Sequence, residues 1–161
     1  MRHLRDGLDH LGEGNSDLCF IISQLAEALG HAGRIAEGLA AIEEAIDRSD
    51  RGWEHWTRAE FLRIKGELLL LDGPASAAAA ENHLRAALNW AHRQDALSWE
   101  LRAPTSLARL RANRGRTDEA RQVLAPVYDR FTEGFETADV RAAKAMLDAL
   151  PLGRPSPWRE R

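Results

Sequence analysis

The sequence predicts an all-α protein, an α-solenoid built from antiparallel helix hairpins. Apolar residues recur at spacings of three and four, glycines follow the apolar segments, and the segments align as a repeat. The repeat is marked by Gly33, Gly73 and Gly115, which are 40 and 42 residues apart. We expect about three hairpins, an N-terminal half-unit and a C-terminal capping helix, together forming one domain over residues 1–150.

The first predicted helix, over residues 2–12, has an apolar side but no hairpin partner. Leu4, Leu8 and Leu11 supply that side. Because a unit of a helical array buries its apolar side only against its neighbours, we expect the chain to be a fragment of something longer. We also expect this edge either to pack back on the next helix or to support a weak homodimer.

The first full hairpin is predicted over residues 16–32 and 35–49. Ser16 or Asp17 is expected to cap its first helix, which Gly33 terminates. The inward-facing positions are Leu18, Ile22, Leu25, Ala26 and Leu29, then Leu39, Ile42 and Ile46. Cys19 lies in the same apolar run, and we interpret it as a small buried hydrophobic residue.

The second hairpin is predicted over residues 53–72 and 75–93. Gly73 and Pro74 separate its helices, and the four alanines at 77–80 strongly favour helix. Its second helix faces inward through Ala80, Leu84, Ala87 and Leu88.

The third hairpin is predicted over residues 96–114 and 117–131. Gly115 stops its first helix, and Thr117 is expected to cap the second. Pro104 is close enough to the helix start to kink the helix rather than break it. The inward-facing positions are Leu101, Leu107, Ala108 and Leu110, then Ala120, Leu124, Val127 and Tyr128.

The last predicted helix, over residues 137–150, closes the array. Thr137 is expected to cap it, and its outer face is polar, as a terminal helix requires. Its inward positions are Val140, Ala143, Leu147 and Leu150, and its outward positions are Arg141, Lys144 and Asp148. The proline-rich tail at 151–161 is expected to be disordered.

Small residues recur at fixed distances from the turn glycines. Ala26, Gly66 and Ala108 stand seven residues before them, and Gly38, Ala80 and Ala120 follow them. We expect these small residues to lie where the two helices of a hairpin approach closely. The second turn is two residues longer than the others.

This pattern resembles the tetratricopeptide repeat, in which a small residue, a turn glycine and a second small residue recur at similar offsets. The resemblance implies a right-handed α-solenoid. The period here exceeds the usual 34 residues of that family. Lys65 also departs from it, standing where the family prefers leucine.

A closer resemblance is to the C-terminal repeat region of bacterial multidomain regulators, which carry class III adenylate or guanylate cyclase domains and an ATPase module. The segments that carry it are 63–70, 98–102, 106–110, 124–128 and 131–139. The resemblance implies a scaffold or sensor segment. The chain has neither a cyclase core nor a phosphate-binding loop.

Composition and motifs argue against several functions. The net charge is -3 from 22 basic and 25 acidic residues mixed along the chain, so no basic face favours nucleic acid or anionic lipid. No apolar run is long enough for a membrane span, and the cytoplasm is the expected location. Six histidines form no metal-binding motif, and no catalytic motif occurs, so we expect no metal, no cofactor and no enzyme activity.

Four tryptophans fall near predicted helix ends. We interpret Trp53, Trp56, Trp90 and Trp99 as packing between hairpins rather than as a ligand-stacking cage. Trp158 lies in the tail, where a docking peptide and a chain-end remnant are both possible interpretations.

Two functions from different classes remain. The chain could be a protein-interaction scaffold that holds a peptide or another domain of its parent regulator, or a small-ligand sensor with a pocket between hairpins. The candidate binding residues are those expected on the concave side: Ser23, Glu27, Glu60, Arg63, Glu67, Arg102, Thr105 and Arg109. This charged set with few aromatic residues favours a protein partner or mutual pairing.

Charges of opposite sign recur at a shift of 42 residues. The shift superposes Arg58 on Glu100, Glu60 on Arg102 and Glu67 on Arg109. Because equivalent positions of stacked repeats are neighbours, these residues are predicted to form a ladder of ion pairs. Binding of a charged partner by the same residues is the alternative.

Overall fold

Every regular element in the part of the chain that the computed structural model describes, residues 16–51, 56–94 and 97–151, is helical. The α-helices are α1 (Ser16–His31), α2 (Ile35–Arg51), α3 (Arg58–Asp72), α4 (Ala77–Arg93), α5 (Leu97–Asn113), α6 (Thr117–Tyr128) and α7 (Ala138–Ala149). A short 3-10 helix, Pro74–Ser76, precedes α4. The all-α prediction is confirmed, and the helix predicted at 2–12 and the tail from residue 152 lie outside the described residues.

Consecutive helices pack in pairs, α1 with α2, α3 with α4, and α5 with α6. The first helices of the pairs also contact one another in order, because α1 contacts α3 and α3 contacts α5. Helix α7 continues this row by packing against α5. Helices α1, α3 and α5, each the first of its pair, and α7 therefore lie side by side in one row, which we call the row of first helices.

Glycines with positive φ form the turns inside the pairs, as predicted. Gly33 and Gly115 have φ of 76° and 74°, in the left-handed region that glycine adopts without strain. Gly73 has φ of 135°, and α4 begins four residues after it, whereas α2 and α6 begin two residues after their glycines. The two extra residues of the second turn are therefore taken up by the 3-10 helix.

The small residues stand at close helix approaches, which confirms their predicted role. A Cβ atom on Gly38 would lie 2.9 Å from the carbonyl oxygen of Ala26, on the partner helix. A Cβ on Gly66 would lie 2.8 Å from Cγ of Leu84, which is fully buried. A side chain at Gly38 would press on the backbone of the partner helix, and one at Gly66 would displace the buried Leu84 side chain.

Apolar residues at most of the predicted positions, together with residues of α3, form the core. One cluster joins α1, α2 and α3 through Leu18, Ile22, Ala26, Ile42, Phe61, Ile64 and Leu68. A second joins α5, α6 and α7 through Leu101, Ala108, Ala120, Leu124, Val140, Ala143 and Leu147. Cys19 is also buried, as interpreted from the sequence.

None of the described helices has both the length and the apolarity needed to cross a membrane.

Some element ends differ from the prediction. Helix α3 begins at Arg58 rather than at residue 53, with Trp56 and Thr57 in a turn, and α6 ends at Tyr128 rather than at 131. Thr117 is the first residue of α6 and not its cap. Thr137 occupies the cap position of α7, but its hydroxyl donates a hydrogen bond to the Gly134 carbonyl at 2.8 Å instead of accepting one from the helix.

Pro104 lies inside α5, and the helix continues past it to Asn113.

Trp56 and Trp99 stack with ring centroids 5.6 Å apart, which confirms packing between the second and third pairs for these two residues. Trp90 packs against Leu62, Ala87 and Ala103, a cluster that joins the second and third pairs, so the prediction is confirmed for this residue as well. The guanidinium of Arg93 lies over its ring, 4.5 Å from the ring centroid. Trp53 lies outside the described residues.

Candidate functional site

A groove of about 420 Å³ runs across the row of first helices. Helices α1, α3, α5 and α7 all contribute to its lining, so it exists only because successive pairs are stacked. The described lining residues are Glu27, Gly30, His31, Arg63, Ile64, Glu67, Leu68, Leu71, Arg102, Thr105, Ser106, Arg109, Asp139 and Ala142.

Six of the eight predicted candidate residues line this groove. They are Glu27, Arg63, Glu67, Arg102, Thr105 and Arg109. The other two require a correction, because the structure buries them and neither lines the groove. Ser23 is 0% exposed and its hydroxyl donates a hydrogen bond to the Phe20 carbonyl at 2.7 Å. Glu60 is 1% exposed and contacts the groove only through its two arginine partners.

Five charged side chains form a continuous chain of ion pairs across all four helices. Glu27 of α1 accepts a hydrogen bond from Arg63 of α3 at 2.8 Å. The guanidinium of Arg63 also binds the carboxylate of Glu60 through two hydrogen bonds of 2.9 Å, from Nε and Nη2. Arg102 of α5 then bridges Glu60, at 2.8 Å, and Asp139 of α7, at 2.7 Å. We call this set the ion chain.

All members of the ion chain that show a pKa shift are held in their charged form. Burial raises the pKa of Glu60, but hydrogen bonds and charges from Arg63 and Arg102 outweigh it, and the pKa lies below its ordinary value. Burial lowers the pKa of Arg63, whereas Glu60 and Glu27 raise it to a value above the ordinary one. Opposite charges within hydrogen-bond distance account for both results.

The other groove pair is looser. Nη1 of Arg109 lies 3.4 Å from Oε1 of Glu67, and 54% of the Arg109 side chain is exposed. Two of the three predicted ladder pairs therefore form, Glu60 with Arg102 and Glu67 with Arg109.

The third ladder pair does not form. Arg58 pairs with Asp50, at the end of α2. The Glu100 carboxylate lies 2.6 Å from Nη1 of Arg130 and 3.0 Å from Nδ1 of His92. Closer partners on other elements therefore replace the predicted contact.

The groove also has an apolar part that the sequence did not lead us to predict. Leu71 is 57% exposed, and Leu68 reaches toward Gly30, where a Cβ atom would lie 2.5 Å from Cδ2 of Leu68. Leu68 and Leu71 fit the ordinary core spacing of a helix, so the sequence offered no signal that they border a groove. Asp139 was missed because its helix was interpreted only as a cap.

The arrangement can recognise both charge and apolar surface. Arginine forks match carboxylates, carboxylates accept peptide N–H groups, and Leu71 offers exposed apolar area. Among the described residues, no three His, Cys, Asp or Glu side chains are grouped so that they could hold a metal ion.

Known proteins offer no match to set beside this geometry. No protein-family model matches the chain, and neither a curated protein nor a solved structure is significantly similar to it.

Proposed function

We propose that this chain is a non-catalytic protein-interaction scaffold, a right-handed α-solenoid of tetratricopeptide type whose groove holds an extended protein segment. The groove crossing four helices is the observation that carries the proposal. The ion chain holds the groove walls together, because single contacts bridge each adjacent pair of these helices and the bidentate contact with Glu60 inside α3 orients Arg63. Rigid, preorganised surfaces lower the entropy cost of holding a peptide.

Arg109 and Leu71 are the groove residues best suited to contact a partner. Arg109 is more than half exposed, and its contact with the Glu67 carboxylate is long, so most of its donors are accessible. Leu71 supplies apolar area beside it. The resemblance to the repeat region of bacterial cyclase and ATPase-containing regulators makes another domain of such a regulator the partner we propose, with the cytoplasm as its location.

Selection from a display library of random short peptides tests the proposal. We expect enriched peptides to lose about tenfold in affinity when Leu71 is changed to aspartate, because the apolar contact is replaced by a charge. Phe135→Asp is the matched control, since Phe135 is similarly exposed and does not line the groove. Enriched peptides that bind both variants equally well would place the binding surface elsewhere.

A small-ligand sensor is the second candidate function, and the groove volume favours it. A volume of about 420 Å³ lies within the range of roughly 300–1,000 Å³ typical of small-molecule sites. The charged lining is less typical of such sites, which are mostly apolar. A thermal-shift screen with metabolites decides for the sensor if a compound stabilises the wild type but not Leu71→Asp.

A further inference from the structure

A second charged cluster lies where α4 meets the turn between α5 and α6, outside the groove lining. Its centre is Glu81 of α4, which is 7% exposed. Four guanidinium groups contact this carboxylate, and Glu119 adds a second carboxylate at the edge. The contacts to Glu81 are Arg116 at 2.6 Å, Arg85 at 2.9 Å, and Arg111 and Arg114 at 3.4 Å. We call these six residues the arginine cluster.

The arginine cluster has more positive charge than its internal pairing requires. Four guanidinium groups against two carboxylates leave two positive charges in excess among these described residues. The groove differs, because its three arginines are paired with four carboxylates, those of Glu27, Glu60, Glu67 and Asp139. Arg116 alone supplies Glu81 with two hydrogen bonds, so holding α4 to the turn does not account for the remaining arginines.

Two arginines of the cluster are accessible. Arg85 exposes 53% of its side chain and Arg114 exposes 37%, and an ion pair joins each of them to Glu81. A guanidinium has five N–H donors, so most of the donors of these two residues are left for a partner. Arg111 is much less exposed, at 12%, and serves the internal contact.

We propose that the arginine cluster docks an acidic segment of a partner protein, one that carries at least two carboxylate side chains. Two carboxylates match the two excess positive charges, and the planar forks of Arg85 and Arg114 suit a carboxylate each. This surface is separate from the groove, so the chain can hold two parts of one partner or two partners at once.

Fluorescence anisotropy with a labelled peptide of alternating glutamate and alanine tests the proposal at low ionic strength. We expect binding that weakens as salt is added, because exposed charges are screened. The double variant Arg85→Ala, Arg114→Ala should lose about fivefold in affinity. Arg48→Ala is the matched control, since Arg48 pairs with Glu44 at the same spacing of four as Arg85 with Glu81 and is also exposed.

A second variant moves binding in the opposite direction. Glu119→Gln removes one carboxylate from an exposed position and raises the excess charge, so it should strengthen binding about twofold. A cluster that only holds α4 to the turn would not show this gain.

Three results would overturn the docking proposal: equal binding of a glutamine-alanine peptide, unchanged binding by the double variant, or tighter binding of a single-stranded oligonucleotide that the double variant abolishes. The groove variant Leu71→Asp is expected to bind the acidic peptide normally. Failure of the docking proposal therefore does not affect the groove proposal, and failure of the groove proposal does not affect the docking proposal.

Discussion

Glu60 shows how one buried carboxylate can fix the position of two neighbouring helices. It is 1% exposed, yet it accepts hydrogen bonds from Arg63 of its own helix and from Arg102 of α5. Removing one partner of a buried ion pair leaves the other charge uncompensated, which is far more costly than losing a surface pair. The residue is thus a structural centre of the groove and not one of its contact surfaces.

Glu60→Gln is expected to lower the free energy of unfolding by about 3 kcal/mol at neutral pH, because Arg63, which is largely buried, and Arg102 each lose one of their two carboxylate partners. Denaturant unfolding followed by circular dichroism measures this change. Glu44→Gln, in the exposed pair with Arg48, serves as the control and should change stability by less than about 0.5 kcal/mol. Similar losses for the two variants would contradict the buried position of Glu60.

The same residue predicts a dependence of stability on pH. The folded-state pKa of Glu60 lies below its reference value of 4.5, so its ionised form is favoured by folding. Its contribution is complete above the reference value and is lost as the pH falls through the folded-state pKa. Stability of the wild type should therefore decrease more steeply below about pH 4.5 than stability of Glu60→Gln.

At the residue scale, burial of apolar side chains could be predicted and burial of polar ones could not. Helical spacing located Leu101, Ala108 and Leu124 in the core, because an apolar stripe must be covered. Ser23 and Glu60 were expected on an accessible surface, since a polar residue at a given spacing is compatible with either environment. Only the stacking of the helices decides whether such a side chain is covered.

At the scale of elements, residues at equivalent positions of neighbouring helix pairs contact each other where the helices run side by side. Glu67 of α3 and Arg109 of α5 are 42 residues apart in sequence and 3.4 Å apart in space. The relation failed for Arg58 because it is the first residue of α3, where the chain end of α2 brings Asp50 closer. Alignment of the repeats therefore predicts contacts between residues inside helices better than contacts at helix ends.

A double-mutant cycle on Glu67→Ala and Arg109→Ala tests this contact between elements. We expect a coupling of about 0.2 to 1 kcal/mol in the free energy of unfolding, since the pair is exposed and screened by solvent. The corresponding cycle on Glu60→Ala and Arg102→Ala should give a larger value, because one partner is buried and the distance is 2.8 Å. Strictly additive losses at Glu67 and Arg109 would mean that the two side chains do not interact.

Helix identities were more predictable than helix ends. The turn glycines, the close approaches at Gly38 and Gly66, and the two-residue insertion after Gly73 followed from alignment of the repeat. The start of α3 did not, because the segment before Arg58 continues the helical spacing of apolar residues while Trp56 and Thr57 form a turn. The spacing of apolar residues therefore does not show where α3 begins.

For the whole molecule, the row of first helices creates both the groove and the ion chain that crosses it. The repeat made this row predictable, and six of the eight candidate residues line one groove as a result. The arginine cluster was missed because it joins Glu81 to a turn about thirty residues later, at no repeated offset. Three arginines within six residues around Gly115 were the signal available in the sequence.

Mapping of backbone amide signals by nuclear magnetic resonance tests the central proposal most directly. A peptide enriched from the random library is titrated into the isotope-labelled protein, and the amides whose chemical shifts change are located. We predict changes concentrated along α1, α3, α5 and α7, around Leu71 and Arg109, and we expect the Leu71→Asp variant to need about tenfold more peptide for the same changes. Changes concentrated on α2, α4 and α6 instead would contradict the assignment of the groove as the binding site.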